Sequence, residues 1–114
     1  MGTDRLNIEV EAREDGPATL RLTGELDLVT SPALNEELSK HGPGVVLDLA
    51  GVEFLDSTGL VLLMESARDR GVVLRRDVSM AVARLLEVTK TEQLFTWEEG
   101  PGGAEEPRGA EEGA

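Results

Sequence analysis

The chain has 114 residues, enough for one compact domain and too few for two, and its 39% hydrophobic and 30% charged residues are typical of a globular protein. Aromatic residues make up only 3% and the net charge is −12, which argues against nucleic-acid binding and favours a basic partner surface. Since cysteine is absent, disulfides and thiolate metal sites are excluded.

Residues 1–5 contain no apolar stretch of the kind that defines a signal peptide. The longest uninterrupted apolar run, residues 60–64, is far shorter than a membrane span. We therefore expect a cytoplasmic protein that does not insert into a membrane.

The first part of the chain has the pattern of a β-hairpin. Residues 6–10 alternate between apolar and polar side chains and predict a strand, and residues 14–17 predict a turn. A second alternating run starts at Ala18, and we expect Gly24 to end it.

A helix and a buried strand are predicted next. Ser31 followed by Pro32 is typical of an N-cap and first helical residue, and the helix is expected to stop before the Gly-Pro-Gly at residues 42–44. Residues 45–49 are almost entirely apolar, as in a strand covered on both faces.

The remaining elements follow from periodicity. Residues 57–70 predict a helix whose core stripe has the helical spacing, and Gly71 should terminate it. Residues 72–74 predict a short strand, Ser79 can cap a further helix, and residues 95–97 can form a terminal strand. The core stripe consists of Leu60, Leu63, Met64 and Ala67.

Residues 98–114 differ in composition from the rest. They carry six glutamates and one arginine with no apolar period, so burial cannot offset the entropy of ordering them. We expect a folded domain over residues 1–97 and a disordered acidic tail over 98–114. The domain should be α/β, with element order β-β-α-β-α-β-α and a mixed sheet of about four or five strands packed against helices.

A strand feeds a helix through Asp56-Ser57-Thr58-Gly59, which places two hydroxyls at a helix N-terminus. Unpaired backbone N–H groups and the helix dipole favour a phosphate there, so we interpret the segment as a phosphorylation switch. The ordinary alternative is helix capping, worth about 1 kcal/mol. Gly59 costs up to about 1 kcal/mol against alanine in a helix, which suggests close approach by another backbone or a ligand.

With this element order, the chain resembles the STAS family, in particular the bacterial anti-sigma-factor antagonists, over residues 6–97. The segments that carry the resemblance are Gly-Glu-Leu-Asp at 24–27, Val-Leu-Asp-Leu-Ala-Gly-Val at 46–52, Phe-Leu-Asp-Ser-Thr-Gly-Leu at 54–60, and residues 82–89 with Leu94 and Phe95. Thr58 stands where many members have serine, and the acidic tail takes the place of their final strand and helix.

The resemblance implies a partner-switching cycle. An anti-sigma factor that is also a serine-protein kinase would phosphorylate Ser57, with Thr58 as a weaker candidate. The unphosphorylated antagonist would bind this kinase and release a sigma factor in a stress response, and a PP2C-type phosphatase would reset the switch. By the same resemblance, Asp27 lies beside the serine in the partner-binding surface.

Leu62 falls opposite the core stripe on a helical wheel, so we expect it to contact the partner rather than the core. The predicted partner-binding set is Asp27, Asp56, Ser57, Thr58, Gly59 and Leu62.

Several of the charged and polar residues have ordinary interpretations. Asp27 can equally be a turn-forming residue, and Asp48 is expected to be a structural hydrogen-bond acceptor within a strand. His41 is expected to be an exposed helix-end residue, and Arg75 and Arg76 to lie in a solvated loop.

No enzyme, cofactor or metal site is predicted, because one histidine without cysteine leaves no plausible zinc site and no phosphate-binding glycine motif is present. Two alternatives to the antagonist remain open: a STAS regulatory subunit of an ABC-type membrane transport complex, and a scaffold subunit of a stress-signalling particle. A monomer is expected.

Overall fold

The computed structural model describes residues 4–14 and 16–99, which form one sheet with helices in the predicted order. The strands are β1 (Leu6–Arg13), β2 (Gly16–Leu26), β3 (Val46–Leu55), β4 (Val73–Arg75) and β5 (Thr96–Glu98). The helices are α1 (Ser31–Leu38), α2 (Ser57–Arg70) and α3 (Met80–Thr89), and a single 3₁₀ turn (Glu92–Leu94) precedes β5.

The strands lie side by side in chain order, from β1 to β5. β1 and β2 form an antiparallel hairpin, and β2, β3, β4 and β5 run parallel to one another. Each parallel pair is joined by one of the three helices, as parallel strands require a crossover. The predicted α/β class with a mixed sheet is therefore confirmed.

One apolar cluster joins the sheet to the helices. The predicted stripe of α2 supplies Leu60 and Leu63, which are buried, while Met64 and Ala67 are partly buried at its margin. Sheet residues in the same cluster include Leu20, Leu22, Leu47 and Leu74, and α1 and α3 contribute Leu34, Leu38, Val82 and Leu86.

The opposite face of the sheet carries a row of alternating charges across its strands. Arg21 of β2 lies opposite Asp48 of β3, with Nε 3.4 Å from the carboxylate, and Asp48 is also 3.7 Å from Arg75 of β4. Arg75 in turn lies 3.8 Å from Glu98 of β5. We call this the charged sheet face; its members are Glu9, Glu11, Arg13, Arg21, Asp48, Arg75 and Glu98.

This arrangement confirms Asp48 as a structural acceptor, since it also accepts a hydrogen bond from the backbone N–H of Ala50 (3.1 Å). The placement of Arg75 in a solvated loop was wrong. Arg75 is the last residue of β4 and its side chain is mostly buried between Asp48 and Glu98. Arg76 is exposed.

Two element boundaries differ from the prediction. Gly24 does not end its strand, and β2 continues to Leu26. Glycine is needed at position 24 because its φ is 114° and because the backbone of Arg5 passes too closely for a side chain there. Thr30 is the N-cap of α1, and Ser31 is already helical.

His41 also differs from the prediction. It is partly buried rather than exposed, and its Nε2 lies 3.2 Å from the carboxylate of Glu37.

Within the described residues, no helix is long and apolar enough to cross a membrane, and no cluster of His, Cys, Asp or Glu could hold a metal ion. Of the predicted tail, Glu98 belongs to β5 and Glu99 is described, while residues 100–114 lie outside the described residues. Their disorder stays a prediction.

Candidate functional site

The predicted site residues meet where β2 and β3 end. Leu26 and Leu55 are paired across the parallel strands, so the segments that follow them leave from the same edge of the sheet. One segment is the β2–α1 loop, which begins at Asp27, and the other is Asp56 followed by α2. Residues almost thirty positions apart in sequence therefore share one surface.

Asp56 holds the two segments together. Its Oδ1 accepts a hydrogen bond from the backbone N–H of Gly59 (2.9 Å) and so caps α2. Its Oδ2 accepts one from the backbone N–H of Leu28 in the β2–α1 loop (3.1 Å). Its own N–H donates to the carbonyl of Leu26 (3.3 Å). Capping by Asp56 is thus confirmed.

Asp27 orders the β2–α1 loop. Its Oδ1 accepts hydrogen bonds from the backbone N–H groups of Val29 and Thr30, both at 3.0 Å, which confirms the turn-forming interpretation. Its Oδ2 forms a 2.9 Å ion pair with Arg5. Burial alone would raise the pKa of Asp27, but the hydrogen bond from Thr30 and the charge of Arg5 outweigh it and hold the pKa below its ordinary value. The carboxylate is therefore ionised at neutral pH.

Gly59 allows α2 to start directly against the end of β2. A Cβ atom there would lie 2.5 Å from the carbonyl oxygen of Leu26 and 2.7 Å from Cδ1 of Leu55. The expected close approach of another backbone is confirmed, and it explains why glycine is tolerated in the first turn despite its cost. Gly59 is buried, and its assignment to a partner-binding surface stays a prediction.

Ser57 is the first residue of α2 and is exposed, while Thr58 is partly buried. In the described part of the chain, neither hydroxyl has a hydrogen-bond partner, and the backbone N–H groups of both residues are also unpaired. Two N–H donors at a positive helix end are available to a phosphate oxygen carried by Ser57.

Ser57 and Thr58 line a groove between α1 and α2 with a volume of about 490 Å³, which we call the α1–α2 groove. Its other lining residues are Leu28, Ser31, Pro32, Asn35, Val61, Leu62 and Glu65. The lining mixes apolar side chains with hydroxyls and one carboxylate, so it could receive an apolar side chain of a partner beside Ser57.

Three further exposed apolar residues lie in or next to this groove and were not among the predicted site residues: Leu28, Val29 and Val61. Val61 could have been found, because it lies four positions after Ser57 on the same helical face. Leu28 and Val29 lie in a loop whose conformation depends on Asp27 and Asp56, so no local pattern indicates them.

Leu62 lines the α1–α2 groove as predicted, but it is only partly exposed and packs against the core cluster. The expectation that it has no core role was therefore wrong. α2 has α1 packed beside it, so side chains outside the main stripe still contact apolar neighbours. Its contact with a partner stays a prediction.

Comparison with known proteins assigns the chain to a family. Residues 10–96 match the family described as Mlab, STAS domain. The chain therefore belongs to the STAS domain family, as the sequence motifs indicated.

The relatives that it resembles include proteins named as anti-sigma factor antagonists. The chain is 34% identical over 103 residues to the anti-sigma-F factor antagonist RsfB of Mycobacterium tuberculosis, in strains CDC 1551 and H37Rv, covering 82% of this chain and 84% of the relative. It is 28% identical to an anti-sigma factor antagonist from Mycobacterium paratuberculosis, with a TM-score of 0.69 over 90% of this chain and 93% of that structure.

A more distant structure supports the fold alone. The anti-sigma factor antagonist SpoIIAA in its unphosphorylated form superposes with a TM-score of 0.66 at 16% identity, covering 90% of this chain and 97% of that one. The predicted resemblance to STAS domains of the anti-sigma-factor-antagonist type is confirmed.

Proposed function

We propose that the protein is an anti-sigma factor antagonist that switches partners by phosphorylation of Ser57. Its unphosphorylated form binds an anti-sigma factor, which is itself a serine kinase, and releases the sigma factor. A PP2C-type phosphatase returns the phosphorylated form to the active state. The names of its relatives, at 34% and 28% identity, support the antagonist part of this proposal.

The observation that carries the switch is the position of Ser57. Its exposed hydroxyl begins α2, adjoins the α1–α2 groove, and lies beside N–H groups that have no acceptor in the described chain. A kinase that binds this groove would find the hydroxyl within its own interface. The residue is thus the substrate of the reaction rather than a catalytic group.

Phosphorylation would oppose binding without unfolding the domain. A phosphate carries about −1.5 to −2 charges and is stabilised at a helix N-terminus. In a complex the same group would be desolvated beside the carboxylate of Asp56, while the carboxylate of Asp27 is already ion-paired with Arg5. A thousandfold loss of affinity requires about 4 kcal/mol, which a dianion confined near a carboxylate without a cationic partner can supply.

The partner-binding set then has two kinds of member. Ser57, Thr58 and Leu62 line the groove and would contact the partner directly. Asp27, Asp56 and Gly59 act mainly by fixing the loop and helix that form the groove.

The test is incubation with ATP and the co-encoded kinase, followed by intact-mass measurement and phosphopeptide mapping. Wild-type protein should gain one phosphate, Ser57→Ala should gain almost none, and the matched control Thr58→Ala should behave like wild type. Modification confined to Thr58, Thr30 or the tail would contradict the assignment of Ser57. Binding to an ABC-type transport assembly without any phosphorylation would instead favour the alternative function.

A further inference from the structure

A second groove lies between the end of β3 and α3, with a volume of about 520 Å³. We call it the β3–α3 groove. Leu55, Ala81 and Leu85 line it, together with Phe54 of β3 and the exposed side of α3. None of its lining residues lines the α1–α2 groove.

The groove contains apolar surface that folding does not require. Phe54 is 50% exposed, and Met80 and Val88 are each 71% exposed. The opposite side of α3 already supplies Val82 and Leu86 to the core. An exposed cluster of this kind marks a surface that another molecule covers.

Arg84 lies between Met80 and Val88 on the same helical stripe, since the three are spaced four residues apart. Within residues 4–14 and 16–99, the guanidinium of Arg84 has no ion pair or hydrogen bond. In a chain of net charge −12, an unpaired arginine among apolar side chains is complementary to a partner carboxylate.

Two occupants fit poorly. A second copy that packs α3 against α3 about a twofold axis would bring the two Arg84 side chains together, and both copies carry −12. Residues 100–114 of the same chain supply glutamates, but their only apolar side chains are those of alanine and proline. Those side chains are too small to cover Phe54 and Met80.

We propose that the β3–α3 groove binds a segment of the anti-sigma factor in which apolar side chains flank a carboxylate; this inference rests on the proposed function. The groove adjoins the switch along the chain, because Phe54 and Leu55 line it and Ser57 and Thr58, just after them, line the α1–α2 groove. One partner surface can therefore cover both grooves, including Ser57 in the α1–α2 groove. The carboxylate pairs with Arg84 and selects the partner.

Calorimetric titration with the co-encoded anti-sigma factor tests this proposal. Arg84→Glu should lower the affinity by at least about tenfold, and Arg84→Lys, which keeps the charge, by clearly less. Val88→Asp should also weaken binding, because it adds a carboxylate to the groove. The matched control is Arg68→Glu, which makes the same charge change at an exposed residue outside both grooves and should change affinity by about twofold or less. Melting temperatures of the Arg84 variants should stay close to wild type, whereas Val88→Asp and Arg68→Glu place a carboxylate in the last turn of a helix and should melt slightly lower while remaining folded.

The outcomes separate the two proposals. If the wild-type protein does not bind the anti-sigma factor, the proposed function is wrong and this inference falls with it. If the wild type binds and Arg84→Glu binds equally well, the inference alone is wrong. Equal losses in Arg84→Glu and Arg68→Glu would also overturn it, because the effect would then be one of net charge.

Discussion

The carboxylate of Asp56 accepts a hydrogen bond from the backbone N–H of Leu28 at 3.1 Å, across 28 positions of sequence. Its other oxygen caps α2 through Gly59. A single side chain therefore fixes the loop that presents exposed Leu28 and Val29 relative to the helix that begins with Ser57. The shape of the α1–α2 groove depends on this connection.

Replacement of Asp56 should separate its two roles. Asp56→Ala removes the cap and the contact with Leu28, and it should lower the free energy of unfolding by about 1–2 kcal/mol. Asp56→Ser can still cap α2 but is too short to hold Leu28 as well, so its loss should be smaller. Urea denaturation of both variants measures this difference. Equal losses would mean that the cap contributes nothing to stability, and an Asp56→Ser variant as stable as wild type would mean the same of the contact with Leu28.

Gly59→Ala should be destabilising even though alanine favours helices by about 1 kcal/mol over glycine. The new methyl group would meet the carbonyl of Leu26 at 2.5 Å, and relief of such overpacking usually costs about 1–3 kcal/mol. Gly42→Ala is the matched control, because nothing lies within 4 Å of a Cβ atom there. Urea denaturation should show a clear loss for the first variant only, and a neutral Gly59→Ala would contradict the close approach.

Asp27 should make stability depend on pH in the acid range. Its pKa in the folded state lies below the ordinary 3.8, so its ionised form is stabilised by folding. That stabilisation is fully present above pH 3.8 and is lost as the pH falls through the lower folded-state pKa. Wild type should therefore be more stable than Asp27→Asn at about pH 7, and the gap should narrow below about pH 4. A gap that is constant with pH would show that the charge is not responsible.

Substitutions of Leu62 and Val61 should have different effects on protein stability but similar effects on partner binding. Leu62→Ser removes an apolar side chain that packs partly on the core and should lower the free energy of unfolding by about 1 kcal/mol, whereas Val61→Ser, at an exposed position, should lower it by less. Both line the α1–α2 groove, so both should weaken binding of the anti-sigma factor. A loss of more than about 2 kcal/mol for Leu62→Ser would mark it as a core residue. Unchanged binding in both variants would place the interface elsewhere.

Phosphorylated Ser57 should change binding far more than stability. A negative group at the N-terminus of α2 is favourable for the helix, so the melting temperature of the phosphoprotein should fall by no more than a few degrees. Affinity for the anti-sigma factor should fall by about a thousandfold, which corresponds to about 4 kcal/mol. Calorimetric melting and titration of the same sample measure both quantities. Melting many degrees lower would mean that the switch acts by unfolding.

Features of the fold and the site that depend on neighbouring residues in the sequence were predicted, and features that depend on distant residues were not. The bounds of α2 were predicted correctly because a helix-start sequence, an apolar stripe and Gly71 at φ 67° all agree. By contrast, Arg75 looked like a loop residue because its place in β4 comes from pairing with Glu98 of β5, which lies 23 positions further along the chain. The exposure of Leu28 depends in the same way on Asp56, which lies far away in sequence.

The charged sheet face has a consequence for how the molecule meets its partner. This face contains four carboxylates and three guanidinium groups, so it is almost neutral, although the whole chain has a net charge of −12. Nearly all of the net negative charge therefore lies on other parts of the protein. As a basic partner approaches, electrostatic attraction would tend to rotate the protein before contact, so that the nearly neutral charged sheet face points away from the partner. Early collisions would then be productive more often than random orientation allows, and this advantage would disappear as salt shortens the reach of the field.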